Sequence, residues 1–251
     1  MYGGWLPSFG MDLGIDGKRA AVAAASTGLG FAAAASLAAE GVSVAICGRD
    51  RDRIEAAADE IDGDVIPLVA DVSTVEGAAG FVSAASELLG GVDILVTNAG
   101  GPPPGTFAST PVGAYPSALD LNLMSVVAMC HAAVPAMREY GWGRIVAITS
   151  LAVRQPMAQL ILSNTARAGA TGFLKTLARE ISGDGVTVNS VQPGLHMTDR
   201  VTQVYADGLP DRPMGDPADL GQVVAFLCSQ QARFTTGVQL HVDGGDYAGL
   251  Q

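Results

Sequence analysis

Cysteine is scarce in this sequence, and its placement excludes two kinds of site. The 251 residues include three cysteines, Cys47, Cys130 and Cys228, which lie far apart within apolar runs. They do not have C-x-x-C or zinc-ligand spacing. This pattern favours small core residues in a reducing compartment, so we expect a cytoplasmic protein with no metal site.

Positive charge is also scarce. Lys and Arg total 14 against 25 Asp and Glu, which gives a formal net charge of −11. Nucleic acid and anionic membranes both require a basic face on a protein partner, so we expect neither as a partner.

No apolar run predicts a membrane span. The most apolar stretch, 121–137, contains polar residues and a proline and falls short of the roughly 20 apolar residues that a span needs. It predicts a helix that is buried or faces a second subunit. Residues 1–10 lack the basic start and apolar core of a secretion signal, and we interpret them as a flexible extension or an alternative start before Met11.

The sequence does contain a regular alternation of two patterns. Short apolar runs rich in β-branched residues alternate with alanine-rich segments of helical period, as in βαβ units with a parallel sheet. Strands are predicted near 19–25, 43–47, 65–70, 93–97, 143–149, 186–191 and 238–242. Helices are predicted near 28–40, 50–61, 74–89, 114–140, 160–182 and 217–229. The pattern indicates an α/β fold: a single Rossmann-like doubly wound domain over 11–251, with a seven-stranded parallel sheet flanked by helices on both faces.

Two loops leave the carboxyl ends of predicted strands, where open α/β sheets place their ligands. One is the G-P-P-P-G segment at 101–105, and the other is 195–214. We expect them to form a largely apolar pocket for a small-molecule substrate, with the second loop as a short lid. The apolar lid residues are Met197, Tyr205, Leu209 and Met214.

A glycine-rich turn, S-T-G-L-G at 26–30, follows the first predicted strand and opens the first helix. Such a turn lets main-chain N–H groups and the positive helix end meet a pyrophosphate. The alternative is a tight strand-to-helix turn with no ligand.

An ordered set of motifs accompanies this turn. They are A-A-A-S-T-G-L-G at 23–30, Asp71-Val72, N-A-G-G at 98–101, Asn122, I-T-S ending at Ser150, P-G at 193–194, and V-D-G-G at 242–245. In order and spacing they resemble the short-chain dehydrogenase/reductase family from about residue 11 to residue 247, and within it the 3-oxoacyl-(acyl-carrier-protein) reductase branch. The resemblance implies an oxidoreductase that uses a nicotinamide cofactor.

The resemblance also implies where the cofactor would bind. The pyrophosphate would lie on Ser26, Thr27, Gly28, Leu29 and Gly30, with Ala24 at the position of the family's first glycine. The other implied contacts are Arg49 at the adenosine ribose, Asp71 and Val72 at the adenine, Asn98, Ala99 and Gly100 beneath the cofactor, and Pro193, Gly194, His196 and Thr198 at the nicotinamide.

Cofactor preference depends on the residues that end the second strand. NAD sites usually hold an acidic residue there, whereas Gly48 and Arg49 offer space and a planar donor fork for a 2′-phosphate. The resemblance therefore implies NADP(H) in preference to NAD(H). Alternatively, Arg49 pairs with Asp50 or Asp52 as a surface residue.

The reacting centre departs from the family pattern. The family uses asparagine, serine, tyrosine and lysine as a proton relay, in which tyrosine protonates the carbonyl oxygen and lysine binds the nicotinamide ribose. Asn122 and Ser150 match, but Ser163 and Arg167 stand at the tyrosine and lysine positions. The two replacements share a helix face, so Arg167 can still reach toward the ribose. Neither is a good acid at neutral pH, and we expect the pKa of Arg167 to stay above about 12.

Two more residues are candidates near this centre. His196 follows Pro193-Gly194 and can titrate near neutrality, so it is a candidate proton donor; the alternative is a loop histidine with a structural hydrogen bond. Arg154 either pairs with an acidic substrate or is a solvated loop charge. Some proteins resembling the same branch carry this serine and arginine variant, which implies an alternative arrangement of the site.

The residues leave three functions open. The first is an NADP-dependent oxidoreductase acting on a carbonyl or alcohol, and the second is an isomerase, dehydratase or cyclase on the same scaffold. The third is a non-catalytic NADP(H)-binding module, against which the retained Asn122 and Ser150 argue.

The resemblance further implies a homo-oligomer. Members of the family commonly form dimers or tetramers through two long helices, which here would span 114–140 and 160–182. Small residues on the second helix permit close packing, and they are Ala166, Ala168, Gly169, Ala170 and Gly172. The alternative is that they pack within the subunit.

Overall fold

Seven parallel strands form the centre of the protein. The computed structural model describes residues 11–205, 208–209, 211 and 214–250, so the predicted extension 1–10 lies outside the described residues. The strands are β1 Arg19–Val22, β2 Ser43–Gly48, β3 Val65–Val69, β4 Ile94–Thr97, β5 Gly143–Ile148, β6 Val186–Pro193 and β7 Gln239–Val242. They lie in the order β3-β2-β1-β4-β5-β6-β7, and all neighbours are parallel.

Helices cover both faces of this sheet, as the sequence predicts. They are α1 Gly28–Ala39, α2 Arg51–Glu60, α3 Val75–Leu89, α4 Tyr115–Leu119, α5 Ser125–Tyr140, α6 Ile161–Glu180, α7 Asp199–Val204 and α8 Pro217–Cys228. The short helix α7 was not predicted, because the sequence indicated only a lid loop over 195–214. The predicted doubly wound α/β fold is confirmed.

Side chains alternate along the strands and build two cores. Ala21 and Leu95 belong to a core shared with α3, α5 and α6, whereas Val22 and Val96 belong to a second core shared with α1, α2 and α8. Because both faces are covered, the central strands are apolar on both sides. The three cysteines are free and buried, in agreement with their predicted place in the core.

The predicted continuous helix 114–140 is irregular. A 3₁₀ turn, Val112–Ala114, leads into α4, and a π-helical segment, Asp120–Met124, separates α4 from α5. A π segment adds a residue to the helical turn and often occurs at functional sites. Asn122 lies within it.

The whole helical stretch Val112–Tyr140 is long and apolar enough, by length and composition alone, to cross a membrane. This differs from the expectation drawn from 121–137. Half of its most apolar window is buried in the fold, and a buried core helix meets the same criterion, so the finding is weak evidence for a span.

The strand order reverses at β1, which pairs with β2 on one side and with β4 on the other. At such a switch point the crossover connections run to opposite faces and leave a crevice at the carboxyl ends of the strands. The predicted site segments after β1, β4, β5 and β6 all begin at this edge of the sheet.

Candidate active site

The turn between β1 and α1 is held in a strained conformation. Ala24 has a φ of 50°, and it is the one residue other than glycine with a positive φ in the described ranges. Asn98 Nδ2 donates to the Ala24 carbonyl at 3.1 Å and fixes that conformation from β4. Ala24 thus adopts a left-handed conformation at the position where the family has its first glycine.

Glycine is required at Gly30 because the helix starts against this turn. A Cβ at Gly30 would lie 2.5 Å from the Ala24 carbonyl oxygen and 2.7 Å from Asn98 Nδ2. Gly28, with φ +64°, faces Thr198 of the lid segment, whose Cγ2 would be 3.5 Å from a Cβ at that position. The turn, the carboxyl end of β4 and the lid thus surround one crevice.

The amino end of α1 is suited to an anion. Thr27 is the N-cap residue, but its side chain caps no backbone N–H, and the first turn holds no acidic residue. Asp50, Thr74 and Asp216, by contrast, each cap their own helices. The first N–H groups of a helix need a partner, and a pyrophosphate supplies it. The residues present therefore fit the phosphates of a dinucleotide.

The far end of the crevice holds one positive and one negative side chain. Arg49 is exposed at the end of β2, and its charge helps to lower the pKa of Asp71, which is lowered first by a hydrogen bond from Ser73 N at 3.0 Å. In the described part of the chain Arg49 forms no salt bridge with Asp50 or Asp52, and Asp50 accepts from Arg53 N as the cap of α2. The surface-pairing alternative for Arg49 thus receives no support.

Two predicted catalytic residues are tied to the loop after β4. Asn122 is 3% exposed, and its Nδ2 donates to the Gly100 carbonyl at 3.0 Å. Its Oδ1 has no hydrogen-bond partner among the described residues. Arg167 Nη2 donates to the neighbouring Ala99 carbonyl at 3.3 Å.

Arg167 also binds the end of β5. Its Nη1 donates to the carbonyls of Ile148 at 3.0 Å and Thr149 at 3.2 Å. These contacts place the guanidinium between the ends of β4 and β5, at the carbonyl of the residue that precedes Ser150. The structure therefore brings Asn122, Ser150 and Arg167 together.

The surroundings of Arg167 correct one expectation. Burial, together with the nearby charge of Arg200, lowers the pKa of the Arg167 guanidinium to about 10, not above 12 as predicted. The group is still cationic at neutral pH, because about three pH units separate the two values. It can therefore hold a positive charge beside a developing oxyanion.

The two serines occupy different settings. Ser150 is half-buried, and its Oγ accepts from Ala152 N at 3.1 Å, which leaves the hydroxyl proton available for donation. Ser163 is 6% exposed on α6, one turn before Arg167. No tyrosine takes its position, so an aliphatic hydroxyl stands where the family places its phenol.

His196 lies at the start of the lid segment and is 3% exposed. Its Nδ1 is 3.3 Å from the Gly194 carbonyl, and a Cβ at Gly215 would lie 3.0 Å from its Nε2. Both ring nitrogens thus face main chain. This geometry favours the structural alternative over a proton donor.

The remaining predicted contacts follow β6. Gly194 N donates to the Val242 carbonyl at 3.0 Å, and a Cβ at Gly194 would come within 2.8 Å of Asp243. Beyond it, a groove of about 530 Å³ runs between α1 and the start of α8 and includes Gly28 and Thr198. It adjoins the predicted phosphate end, and none of Asn122, Ser150 and Arg167 lines it.

Two residues near the site were not predicted from the sequence. Arg200, the second residue of α7, donates through Nη2 to the Pro102 carbonyl at 2.6 Å. Tyr247 packs edge-on against His241 at 4.4 Å, and Arg154 lies 5.9 Å from its ring. The sequence signal that could have identified Arg200 was its place two residues after Thr198, which was predicted to contact the nicotinamide. Tyr247 had none, because only the folded carboxyl-terminal segment brings it near the Ser150 loop.

The crevice at the β1/β4 switch point, with an uncapped helix end at one side and Ser150 and Arg167 at the other, defines a Rossmann-type dinucleotide-binding protein. Comparison with known proteins makes the class more specific. The family model described as enoyl-(acyl carrier protein) reductase matches residues 23–246.

Similar proteins cover nearly the whole chain. The 3-oxoacyl-(acyl-carrier-protein) reductase of Vibrio cholerae is 32% identical over 243 residues, which are 94% of this chain and 99% of that protein. L-sorbose reductase from Gluconobacter frateurii, solved with NADPH and L-sorbose, is 30% identical with a TM-score of 0.87, covering 96% of this chain and 100% of that one. An NADPH-bound short-chain oxidoreductase from Pseudomonas aeruginosa PAO1, described as having an atypical catalytic center, is 28% identical with a TM-score of 0.84. The match covers 93% of this chain and 98% of that one.

The chain belongs to the short-chain dehydrogenase/reductase family. It is an oxidoreductase of this family, and it resembles the 3-oxoacyl-(acyl-carrier-protein) reductases. The family resemblance predicted from the sequence motifs is confirmed.

Proposed function

We propose that this protein is an NADP(H)-dependent oxidoreductase that interconverts a carbonyl and an alcohol through Ser150 and Arg167 in place of the usual tyrosine and lysine. The observation that carries the proposal is the position of Arg167, whose guanidinium bridges the ends of β4 and β5 beside Ser150. A cation held there stabilises negative charge on a substrate oxygen.

Each residue of the site has its own role in the proposed reaction. The nicotinamide, when bound, supplies or accepts the hydride. Ser150 donates its free hydroxyl proton as a hydrogen bond to the substrate oxygen, and Arg167 stabilises the charge that develops on it. Asn122 is positioned through Gly100, and its Oδ1 is free to accept a hydrogen bond from a water that delivers the proton. The lid residues Met197 and Leu209, which are 59% and 48% exposed, offer apolar contacts to the substrate.

Arg49 supports the preference for NADP(H). It stands exposed at the end of β2 without a carboxylate in a salt bridge among the described residues, so its fork can receive a 2′-phosphate. The NADPH in two of the similar structures is in keeping with a nicotinamide cofactor.

Fluorescence titration with NADPH and NADH tests the cofactor. We expect NADPH to bind more tightly, and Arg49→Glu to raise the Kd for NADPH at least tenfold while changing that for NADH much less, because a charge-assisted contact is lost. Arg233→Glu, which makes the same charge change at an exposed position after α8, is the matched control. Equal binding of both coenzymes by the wild type would contradict the preference.

A panel of carbonyl compounds tests the reaction. We expect NADPH to be consumed with some of them, and Ser150→Ala to lower kcat about 10²–10³-fold with an unchanged Kd for NADPH, since one oxyanion donor is removed. Ser83→Ala on α3 serves as a control, because that hydroxyl binds only the Ala79 carbonyl. Product formation without any change in NADPH would instead support a non-redox enzyme.

A further inference from the structure

Two guanidinium groups from different elements converge on the crevice. Arg167 comes from α6, and Arg200 comes from α7 in the lid segment. Arg167 donates to the Ala99 carbonyl, and Arg200 lies against Gly101 two residues further along the same loop. Burial, and after it the charge of Arg200, lowers the pKa of Arg167. Two neighbouring positive charges repel one another, and an anion between them would relieve the repulsion.

Among the residues that the structure describes, neither guanidinium forms a salt bridge with a carboxylate. The chain nevertheless carries 25 acidic residues and a net charge of −11. Both donate to main-chain carbonyls instead. Half-buried arginines usually pair with an acid, so two arginines without a described carboxylate partner favour an anionic ligand.

Arg200 makes one side-chain hydrogen bond to the described residues. Its guanidinium lies flat on Gly101, where a Cβ would be 2.7 Å from Nη2 and 2.8 Å from both Cζ and Nε. One donor is used by the Pro102 carbonyl at 2.6 Å. Arginine has five N–H donors in one plane, so this one hydrogen bond leaves further donors for a ligand.

The crevice at this point lies between the turn after β1 and the loop after β4. Thr198, which precedes α7, faces Gly28, and Asn98 ties the β4 loop to Ala24. Arg200 therefore reaches from the lid across the opening to Gly101. A ligand in the crevice would meet Arg200 at Gly101 and Arg167 at Ala99, both on the loop after β4.

We propose that Arg200 and Arg167 together bind an oxyanion in this crevice, either a phosphate of the dinucleotide or a carboxylate of the substrate. Both sources offer the same planar or tetrahedral oxygens that an arginine fork recognises. The inference rests on the proposed function, because it assumes that a dinucleotide and a carbonyl substrate share the crevice. It adds Arg200 as a binding residue that the family motifs do not contain.

The competing explanation is that Arg200 is only a strut between the lid and the β4 loop. Glutamine removes the charge and keeps a neutral amide donor, although its side chain is about two bonds shorter than that of arginine. Lysine keeps the charge but not the fork. Arg233→Gln on the exposed segment after α8 controls for the change in net charge.

The experiment compares wild type, Arg200→Gln, Arg200→Lys and Arg233→Gln by calorimetry with NADPH. Initial rates of NADPH oxidation are then titrated against an α-keto acid that the wild type accepts and against its methyl ester, and kcat/KM gives the preference between the two. If the anion is a cofactor phosphate, Arg200→Gln raises the Kd for NADPH about tenfold. If it is a substrate carboxylate, the Kd for NADPH is unchanged and the preference for the acid over the ester falls about tenfold. Arg200→Lys retains part of either effect.

The proposal is overturned if Arg200→Gln matches Arg233→Gln in both titrations while the wild type binds NADPH. A wild type that binds neither NADPH nor NADH overturns the proposed function, and this inference falls with it. Thermal melting of each variant shows whether a loss of binding reflects a loss of fold.

Discussion

At the scale of single residues, Ala24 occupies the position of the family's first glycine in the turn between β1 and α1. Its φ of 50° places an alanine in the left-handed region, which costs an L-residue about 1–2 kcal/mol. The surroundings impose this conformation through the hydrogen bond from Asn98 and the contact of Ala24 N with Cys47 Sγ at 3.5 Å. The strain is therefore stored at the entrance to the crevice.

Ala24→Gly is expected to stabilise the protein. Glycine removes the strain but adds freedom to the unfolded chain, so the net gain in the free energy of unfolding is about 1 kcal/mol. Thermal or urea unfolding measures it. Ala35→Gly within α1 is the matched control and should destabilise by about 1 kcal/mol, because that residue is helical. A loss of stability in Ala24→Gly would contradict the strain.

At the scale of elements, α1 and the strand order create the crevice. The helix begins so close to β1 that position 30 has room only for hydrogen, and the carboxyl end of β4 approaches from the other side. At the opposite edge of the sheet, β1 and β4 are joined by an ion pair between Arg19 and Asp93, with Nε and Oδ2 2.8 Å apart. The same two strands are thus fixed at both ends.

Gly30→Ala should both destabilise the protein and abolish dinucleotide binding. The new methyl would collide with the Ala24 carbonyl and Asn98, and such overpacking costs about 1–3 kcal/mol. Unfolding curves and NADPH titration measure the two effects. Gly80→Ala on α3 is the control, since its methyl meets open space and should raise stability by up to about 1 kcal/mol.

The Arg19–Asp93 pair gives the protein a pH dependence in acid. Burial raises the pKa of Asp93, but hydrogen bonds and charge from Arg19 outweigh it, and the net pKa lies below the ordinary value. A carboxyl with a lowered folded pKa stabilises the fold above its unfolded pKa of about 3.9, and this contribution is lost as the pH falls through the folded value.

Asp93→Asn should therefore lower the free energy of unfolding by about 2 kcal/mol at pH 7, because the half-buried Arg19 loses its partner. The difference from wild type should shrink as the pH falls below about 4. Urea unfolding at a series of pH values measures it. Asp59→Asn on the exposed face of α2 should show no such difference.

At the scale of the whole molecule, the small residues of α6 divide between two faces. Ala166 and Ala170 are 0% and 1% exposed and pack within the subunit, whereas Ala168, Gly169 and Gly172 are exposed. Nothing lies within 4 Å of a Cβ at Gly172. The homo-oligomer remains a proposal, in which the subunit contact would lie on the outer face of α6.

Gly172→Trp should leave the subunit folded and disrupt the assembly. The indole would project into open space within one subunit but would collide with a second helix packed closely on α6. Light scattering after gel filtration measures the mass of wild type and variant. Gly80→Trp, also in open space, should leave the mass unchanged. A wild type of single-chain mass would contradict the proposal.

The sequence by itself determined the fold class, because hydrophobic periodicity and the glycine turn depend on local geometry that neighbours along the chain dictate. It also placed Asn122, Ser150 and Arg167 in one site through family spacing. Only the tertiary structure showed the π-helical segment around Asn122, the burial of His196 and the approach of Arg200 to Gly101. These features arise from contacts between segments remote in sequence, and the lowered pKa of Arg167 follows from the same contacts, because burial and a neighbouring charge exist only after folding.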